Sequence, residues 1–207
     1  MVEHPSAPGP LLIVISTDKA PARFYGLPKV YKENIPLRPI FSLRDTPTCG
    51  LAKWMFTYLN FLAEGSTTTV ASVKQFLERI NHLQLKPDEP LVSFDVVSLF
   101  TSIPQQLAID VVRQLLNERY DDSDKPLKSE NLLKLLRHCL KTYFTFSGQM
   151  YEQIKGVRIL PGLIAEIVLQ RIEHLVFAKY RPKFLDRYVD DTFVTVKISD
   201  IEHLKIY

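Results

Sequence analysis

Two adjacent carboxylates, Asp190 and Asp191, stand between two runs of β-forming residues, Lys183-Phe184-Leu185 and Thr192-Phe193-Val194-Thr195-Val196. That pattern predicts a hairpin with the acidic pair at its tip. Clustered carboxylates repel one another, so the arrangement is costly unless a cation neutralises it. A third acid follows the apolar run Leu91-Val92-Ser93-Phe94, which predicts a strand ending at Asp95. With that strand beside the hairpin, Asp95, Asp190 and Asp191 would form an all-oxygen donor set of the kind Mg²⁺ prefers. A pair of such ions clamps the attacking and leaving oxygens of an in-line phosphoryl displacement.

The elements that must position these acids follow from hydrophobic spacing. Leu51, Trp54, Met55, Tyr58, Leu59 and Leu62 predict a helix over 51–62. Val70, Val73, Phe76, Leu77 and Ile80 share one face of a second, over 69–83. Pro104 suits the first turn of a helix running to 120, and Ser129 suits the N-cap of one running to 141. Tyr143-Phe144-Thr145-Phe146 and Gln149-Met150-Tyr151-Glu152-Gln153 flank Ser147-Gly148, a hairpin signal. Lys141 next to these aromatics could also serve base stacking, but a buried hairpin is the simpler reading. A further helix is expected over 162–179. Residues 23–50, rich in proline and basic side chains, are expected as extended chain and turns. Helices combined with a small antiparallel sheet give an α+β fold.

Composition sets bounds. Of the 207 residues, 46% are hydrophobic and 24% charged, which is enough to bury a core. The net charge of +3 is modest for a nucleic-acid protein, but the acidic run Asp121-Asp122-Ser123-Asp124 offsets basic residues elsewhere. Cys49 and Cys139 lack metal-ligand spacing and are expected as free thiols. His138 and Cys139, adjacent in a helix, face different directions and do not make a joint site. Arg158 is expected as a surface charge. Residues 1–22 are poorly specified. Their apolar run, Leu11-Leu12-Ile13-Val14-Ile15, is too short for a signal or a membrane span, so an intracellular protein is expected.

Four motifs occur in order: Arg23-Phe24-Tyr25-Gly26-Leu27-Pro28-Lys29-Val30-Tyr31-Lys32, Pro36-Leu37-Arg38-Pro39-Ile40, Ser93-Phe94-Asp95-Val96-Val97-Ser98-Leu99-Phe100-Thr101-Ser102-Ile103-Pro104, and Arg187-Tyr188-Val189-Asp190-Asp191-Thr192-Phe193. Together they resemble the reverse transcriptase of Penelope-like retroelements over residues 23–207. The resemblance implies a right-hand polymerase with fingers and palm that copies an RNA template from a DNA primer with dNTPs and two Mg²⁺ ions, and it implies the nucleus. It assigns Asp95 and Asp190 as metal-bridging ligands and Asp191 as their supporting carboxylate. Phe100 would gate the ribose 2′-hydroxyl, and Lys29, Lys32 and Arg38 would meet the triphosphate or template, Arg38 gripping phosphate.

The resemblance departs in one loop. The family places small residues between a Lys-Gly pair and a helix beginning Gly-Leu-Ile-Ala-Glu. Here Lys155-Gly156 and Gly162-Leu163-Ile164-Ala165-Glu166 enclose only Val157-Arg158-Ile159-Leu160-Pro161. The loop is shorter than the family's and bulkier. The sequence ends soon after the acidic hairpin, so no thumb is expected. The alternative expectation is therefore a catalytically inactive, nucleic-acid-binding remnant.

Overall fold

The computed structural model describes residues 20–157 and 160–201. The readings of the 11–15 apolar run and of Arg158 and Ile159 lie outside the described residues. The chain divides into two compact units, Met1–Ala63 with Phe100–Ile167 and Glu64–Leu99 with Val168–Tyr207.

The first unit holds a sheet and a helical core. Strands β1 (Ala22–Pro28) and β2 (Leu37–Ser42) form an antiparallel hairpin. Sequence reasoning had only extended chain and turns here, because Pro28 and Pro39 argue against strands. Both prolines sit where a strand tolerates them: Pro28 is the last residue of β1, and Pro39 lies on the edge strand β2. Helix α1 (Cys49–Leu59) continues as a 3₁₀ turn over Asn60–Ala63. It packs with α4 (Gln105–Arg119) and α5 (Ser129–Leu140), burying Met55, Leu59, Leu116, Leu132 and Leu136. Pro104 is the N-cap of α4, one place earlier than expected. Ser129 is the first residue of α5, and its amide and hydroxyl both donate to the Asp122 carboxylate, at 2.8 Å each. The acidic run thus contributes a helix cap. Both cysteines are free; burial pushes the Cys139 thiol up to about 12, while its neighbour His138 faces solvent.

Strands β4 (Tyr143–Phe146) and β5 (Gln149–Glu152) form the expected hairpin, with Ser147 and Gly148 at φ 51° and 78°, but it is exposed rather than buried: of its strand residues only Phe144 is half-buried. Positive φ at both turn residues is the type I′ pattern that matches strand twist. The sheet runs β2-β1-β4-β5 and contains one parallel pair, β1 with β4, so it is not purely antiparallel. After β5 the chain folds back on the short helix α3 (Leu99–Ser102), whose Phe100 belongs to this unit. Gly156 donates to the Ile103 carbonyl at 3.1 Å, and Val157 donates to that of Phe100 at 2.8 Å. Gly156 has φ +85°, and a Cβ there would meet Phe100 O at 2.8 Å and Thr101 Cα at 2.9 Å. Only glycine fits both conditions.

The second unit is a three-stranded antiparallel sheet of order β3-β7-β6: β3 (Leu91–Asp95), β7 (Asp191–Thr195) and β6 (Leu185–Tyr188). The hairpin strands sit closer to the turn than the sequence runs suggested: β6 starts at Leu185, not Lys183, and β7 includes Asp191. On one face Val92, Phe94, Leu185 and Val194 pack with Val176 and Phe177 of α6 (Pro161–Tyr180). On the other face Phe193 meets Phe76 of α2 (Val73–Ile80), ring centroids 4.7 Å apart. Helix α2 is shorter than the expected 69–83 because Ser72 caps it, accepting from the Gln75 amide. The segment before it runs beside the free edge of β6: Arg187 donates to Thr68 O and accepts from Val70 N. That pairing satisfies an edge that would otherwise stay open. No helix among the described residues is long and apolar enough to cross a membrane.

Alanine at Gly148, where a Cβ meets open space, should cost about 1 kcal/mol through backbone conformation alone. Alanine at Gly156 adds a collision with backbone and should cost about 3 kcal/mol. Urea midpoints of the two variants test the difference; equal midpoints would show that Gly156 is not packed on 100–101.

Candidate functional site

The antiparallel register between β3 and β7 sets Asp95 directly opposite Asp191, and that between β6 and β7 sets Tyr188 opposite Asp191 on the other side. Directly paired residues project to one face of a sheet, so the three side chains form a row at its end. The row lies on the α2 face, two residues beyond Phe193 and Asp186, and all three residues are exposed. Asp190 lies in the two-residue turn that Tyr188 and Asp191 close, and it is half-buried. Its carbonyl accepts from the amide of Val96, next to Asp95, at 3.4 Å. The structure therefore brings Asp95, Asp190 and Asp191 together within the second unit.

Their electrostatics follow from this placement. The Asp191 carboxyl is raised above the usual carboxylate range, first by burial and then by the charges of Asp190 and Asp95. All donors are hard carboxylate oxygens, the type that suits Mg²⁺. No group of three or more His, Cys, Asp or Glu among the described residues is gathered closely enough to hold a metal ion. The donor chemistry fits a divalent cation, and the side chains are neighbours without forming a closed ligand cage.

The turn itself is strained. Val189 has φ 58° while Asp190 does not have positive φ, the pattern of a type II′ hairpin, which calls for glycine at the first position. A β-branched residue there is a conformational outlier costing about 1–3 kcal/mol. Arg187, fully buried on the α6 face, donates from Nη1 to the Val189 carbonyl at 3.0 Å. Its Nε is paired with Glu173 of α6, and its Nη2 donates to Thr69 Oγ1 at 2.9 Å. Thr68 Oγ1 donates to the second Glu173 oxygen at 2.7 Å. On the opposite face Arg79 Nη1 donates to Asp186 Oδ1 at 2.7 Å and to Thr67 O at 3.1 Å. The sequence places Arg187 within the acidic-hairpin motif but assigns it no role, and nothing in it singles out Glu173. The available signal is an arginine immediately before the acidic turn, in a run the sequence places in the hairpin.

The other sequence candidates lie in the first unit. Arg38 is exposed on β2, and its guanidinium donates to the Tyr31 hydroxyl at 3.3 Å. Lys29, half-buried, and Lys32, exposed, belong to the loop joining β1 to β2. Phe100 is 37% exposed. Strand register puts Arg23, Tyr25, Arg38, Tyr143 and Thr145 on one face of the four-stranded sheet, all exposed. Guanidinium groups beside open aromatic rings suit phosphate contact and base stacking.

No family model and no curated protein sequence matches the chain. Solved structures are similar to it. Telomerase from Candida albicans, in complex with the TWJ fragment of telomeric RNA, aligns at TM-score 0.61 and 12% identity, over 91% of this chain and 39% of that one. Telomerase from Candida tropicalis truncated from its C-terminal domain aligns at 0.59 and 15% identity, over 93% and 47%. The apo telomerase of that species gives 0.59 and 13%, over 91% and 41%. This chain spans less than half the length of each. At such identity the likeness concerns fold alone.

Asp191 has a folded-state pKa above its unfolded one, so its ionisation opposes folding. The stability it confers is intact below the unfolded value, about 4, and is lost as pH rises through the folded value. Asp191→Asn should therefore melt above the parent at neutral pH in a chelator, by up to about 1 kcal/mol, the scale of a like-charge cross-strand pair. The gain should fade below about pH 4. Thermal midpoints in EDTA measure it, and a variant melting below the parent at neutral pH would contradict the repulsion.

Proposed function

We propose that this chain is the fingers–palm part of an RNA-directed DNA polymerase from a Penelope-like retroelement. The observation that carries the reading is Asp95 opposite Asp191, with Asp190 in the adjoining turn, in a reverse-transcriptase-like fold. In the reaction, a primer 3′-hydroxyl attacks the α-phosphorus of a dNTP and pyrophosphate leaves. Asp95 and Asp190 would hold two Mg²⁺ ions, with Asp191 supporting them. Bound Mg²⁺ supplies neutralising charge for the triphosphate and the departing pyrophosphate. Arg38 grips phosphate through its planar fork, and Lys29 and Lys32 act as point charges. The ring of Phe100 excludes a ribose 2′-hydroxyl by bulk. The open face with Arg23, Tyr25 and Tyr143 supports single-stranded template as partner. Nuclear residence belongs to the same reading.

A second reading, an inactive nucleic-acid-binding remnant, is favoured by one observation. Leu160, buried at the end of the shortened 157–161 loop, has φ 58°, a strained state for a branched side chain.

Purified protein on a primed RNA template with Mg²⁺ and dNTPs tests both. The parent should extend the primer. Asp95→Asn and Asp190→Asn should each lower incorporation by about 100-fold or more, the scale for removing a group that stabilises transition-state charge. Unchanged extension by Asp190→Asn would place the site elsewhere. No extension by the parent, with RNA binding that weakens as salt rises, would select the second reading.

A further inference from the structure

We infer that Arg187 is a positioning residue for the acidic hairpin, holding the Val189–Asp190 peptide in an orientation that the turn sequence does not favour by itself. The role rests on the polymerase reading only for its functional consequence; the structural coupling stands separately.

Arg187 lies opposite Thr192 on the α6 face of the sheet, the face that also carries Leu185, Val194 and Phe94. An apolar residue would fill that place at least as well, since a buried ion pair does little better than break even against well-packed hydrophobic side chains. What an apolar residue could not do is donate to a backbone carbonyl. Glu173 and Thr69 take the guanidinium from two directions, and Thr68 fixes Glu173 in turn. The remaining arm is thereby aimed at Val189 O. A peptide unit is planar, so fixing that carbonyl fixes the amide of Asp190 with it. The direction in which the Asp190 carboxylate leaves the backbone is then constrained. The Asp190 carbonyl accepts from Val96 N, one residue after Asp95, so the same linkage reaches β3. A continuous run of polar contacts connects Glu173 on α6 to the backbone of both acidic segments.

The strained residue supplies the reason. Valine disfavours positive φ, and a valine at the first position of this turn would relax unless something opposed it. The Arg187 bond opposes it. Lysine preserves the charge facing Glu173, but its compact ammonium on a flexible stem cannot reproduce the guanidinium's planar fork to Glu173, Thr69 and Val189 together. Glycine at 189 accepts the turn conformation without help.

The test uses the full chain with R187K, V189G and the R187K/V189G pair, avoiding Arg187→Ala, which would leave Glu173 buried without its counter-charge. Two measurements are made on variants that melt cooperatively. The first is amide hydrogen exchange at Val96, which reports the bond to Asp190. R187K should speed it about tenfold, and adding V189G should restore protection. The second is primer extension. R187K should lower kcat by about 10–100-fold with KM for dNTP nearly unchanged, as expected of a displaced reacting group, and V189G should recover most of the loss. A residue that mattered only for packing would show no rescue by V189G. Parental exchange and parental kcat in R187K would overturn the inference, as would failure of V189G to restore Val96 protection. If the parent extends no primer, the polymerase reading falls, and the exchange measurements alone still decide whether Arg187 holds the turn.

Discussion

The register between β3 and β7 is the constraint on which the second unit depends. It places Asp95 and Asp191 side by side, an unfavourable pair worth up to about 1 kcal/mol of repulsion. The same register puts Val92 and Phe94 of β3 and Val194 of β7 on the α6 face. Burying one such side chain contributes about 1.5–3 kcal/mol. A slip of one residue would relieve the acidic pair and expose the apolar set to the wrong face. The hydrophobic term wins by several fold, so the carboxylates are held together by packing that does not involve them.

The two faces of that sheet do different work. On the α2 side, the ends of the strands carry the acidic row and Tyr188, while Phe193 and Asp186 farther in meet Phe76 and Arg79. The α6 side carries apolar packing and one buried guanidinium, whose own contacts are polar. The loop at 66–70 connects the two sets: Thr67 accepts from Arg79, Thr68 from the Arg187 backbone, and Thr69 from the Arg187 side chain. Ser66 Oγ in turn accepts from the Thr69 amide at 3.0 Å, closing the loop on itself. A run of short hydroxyl side chains suits this place, because they bond to one another, to Glu173 and to Arg187 while the Thr67 and Thr68 carbonyls serve the two arginines.

Much of the local structure was legible in the sequence, and the long-range pairing was not. Leu91 to Asp95 reads as a strand and is one, because its apolar residues are bounded by proline and an acid. Ser147-Gly148 reads as a tight turn because few other pairs adopt positive φ twice. The acidic hairpin was recognised, but its tip was drawn too wide. Arg187, Tyr188 and Asp191 look polar and turn-like, yet all three are strand residues. The reason is tertiary: Arg187 is paired with Glu173 fourteen residues earlier, a partner that no local pattern announces. The β1–β2 hairpin was missed because proline counts against strands until one knows which strand is the edge. The parallel pairing of β1 with β4 joins segments over a hundred residues apart and leaves no periodic trace. The strand ending at Asp95 and the hairpin carrying Asp190 and Asp191 are adjacent in the sheet, because a pattern of strand ends carries pairing geometry in a way that isolated cations do not.

The start of the loop between β5 and α6 keeps its backbone donors for the protein itself. Loops of small residues serve phosphate and base recognition by offering unpaired backbone N–H groups at close range. Here the Gly156 and Val157 amides are already given to Ile103 and Phe100. The Gly156 carbonyl accepts from the Gln153 side chain at 3.0 Å, and Gln105 donates to the Gln153 carbonyl at 3.2 Å. The start of the loop is therefore fastened inward by its own unit, and Leu160, at φ 58°, is a strained residue immediately before α6. With those two amides given to the protein itself, a nucleotide bound under the polymerase reading proposed above would draw more of its phosphate contacts from side-chain cations than from the backbone at the start of this loop.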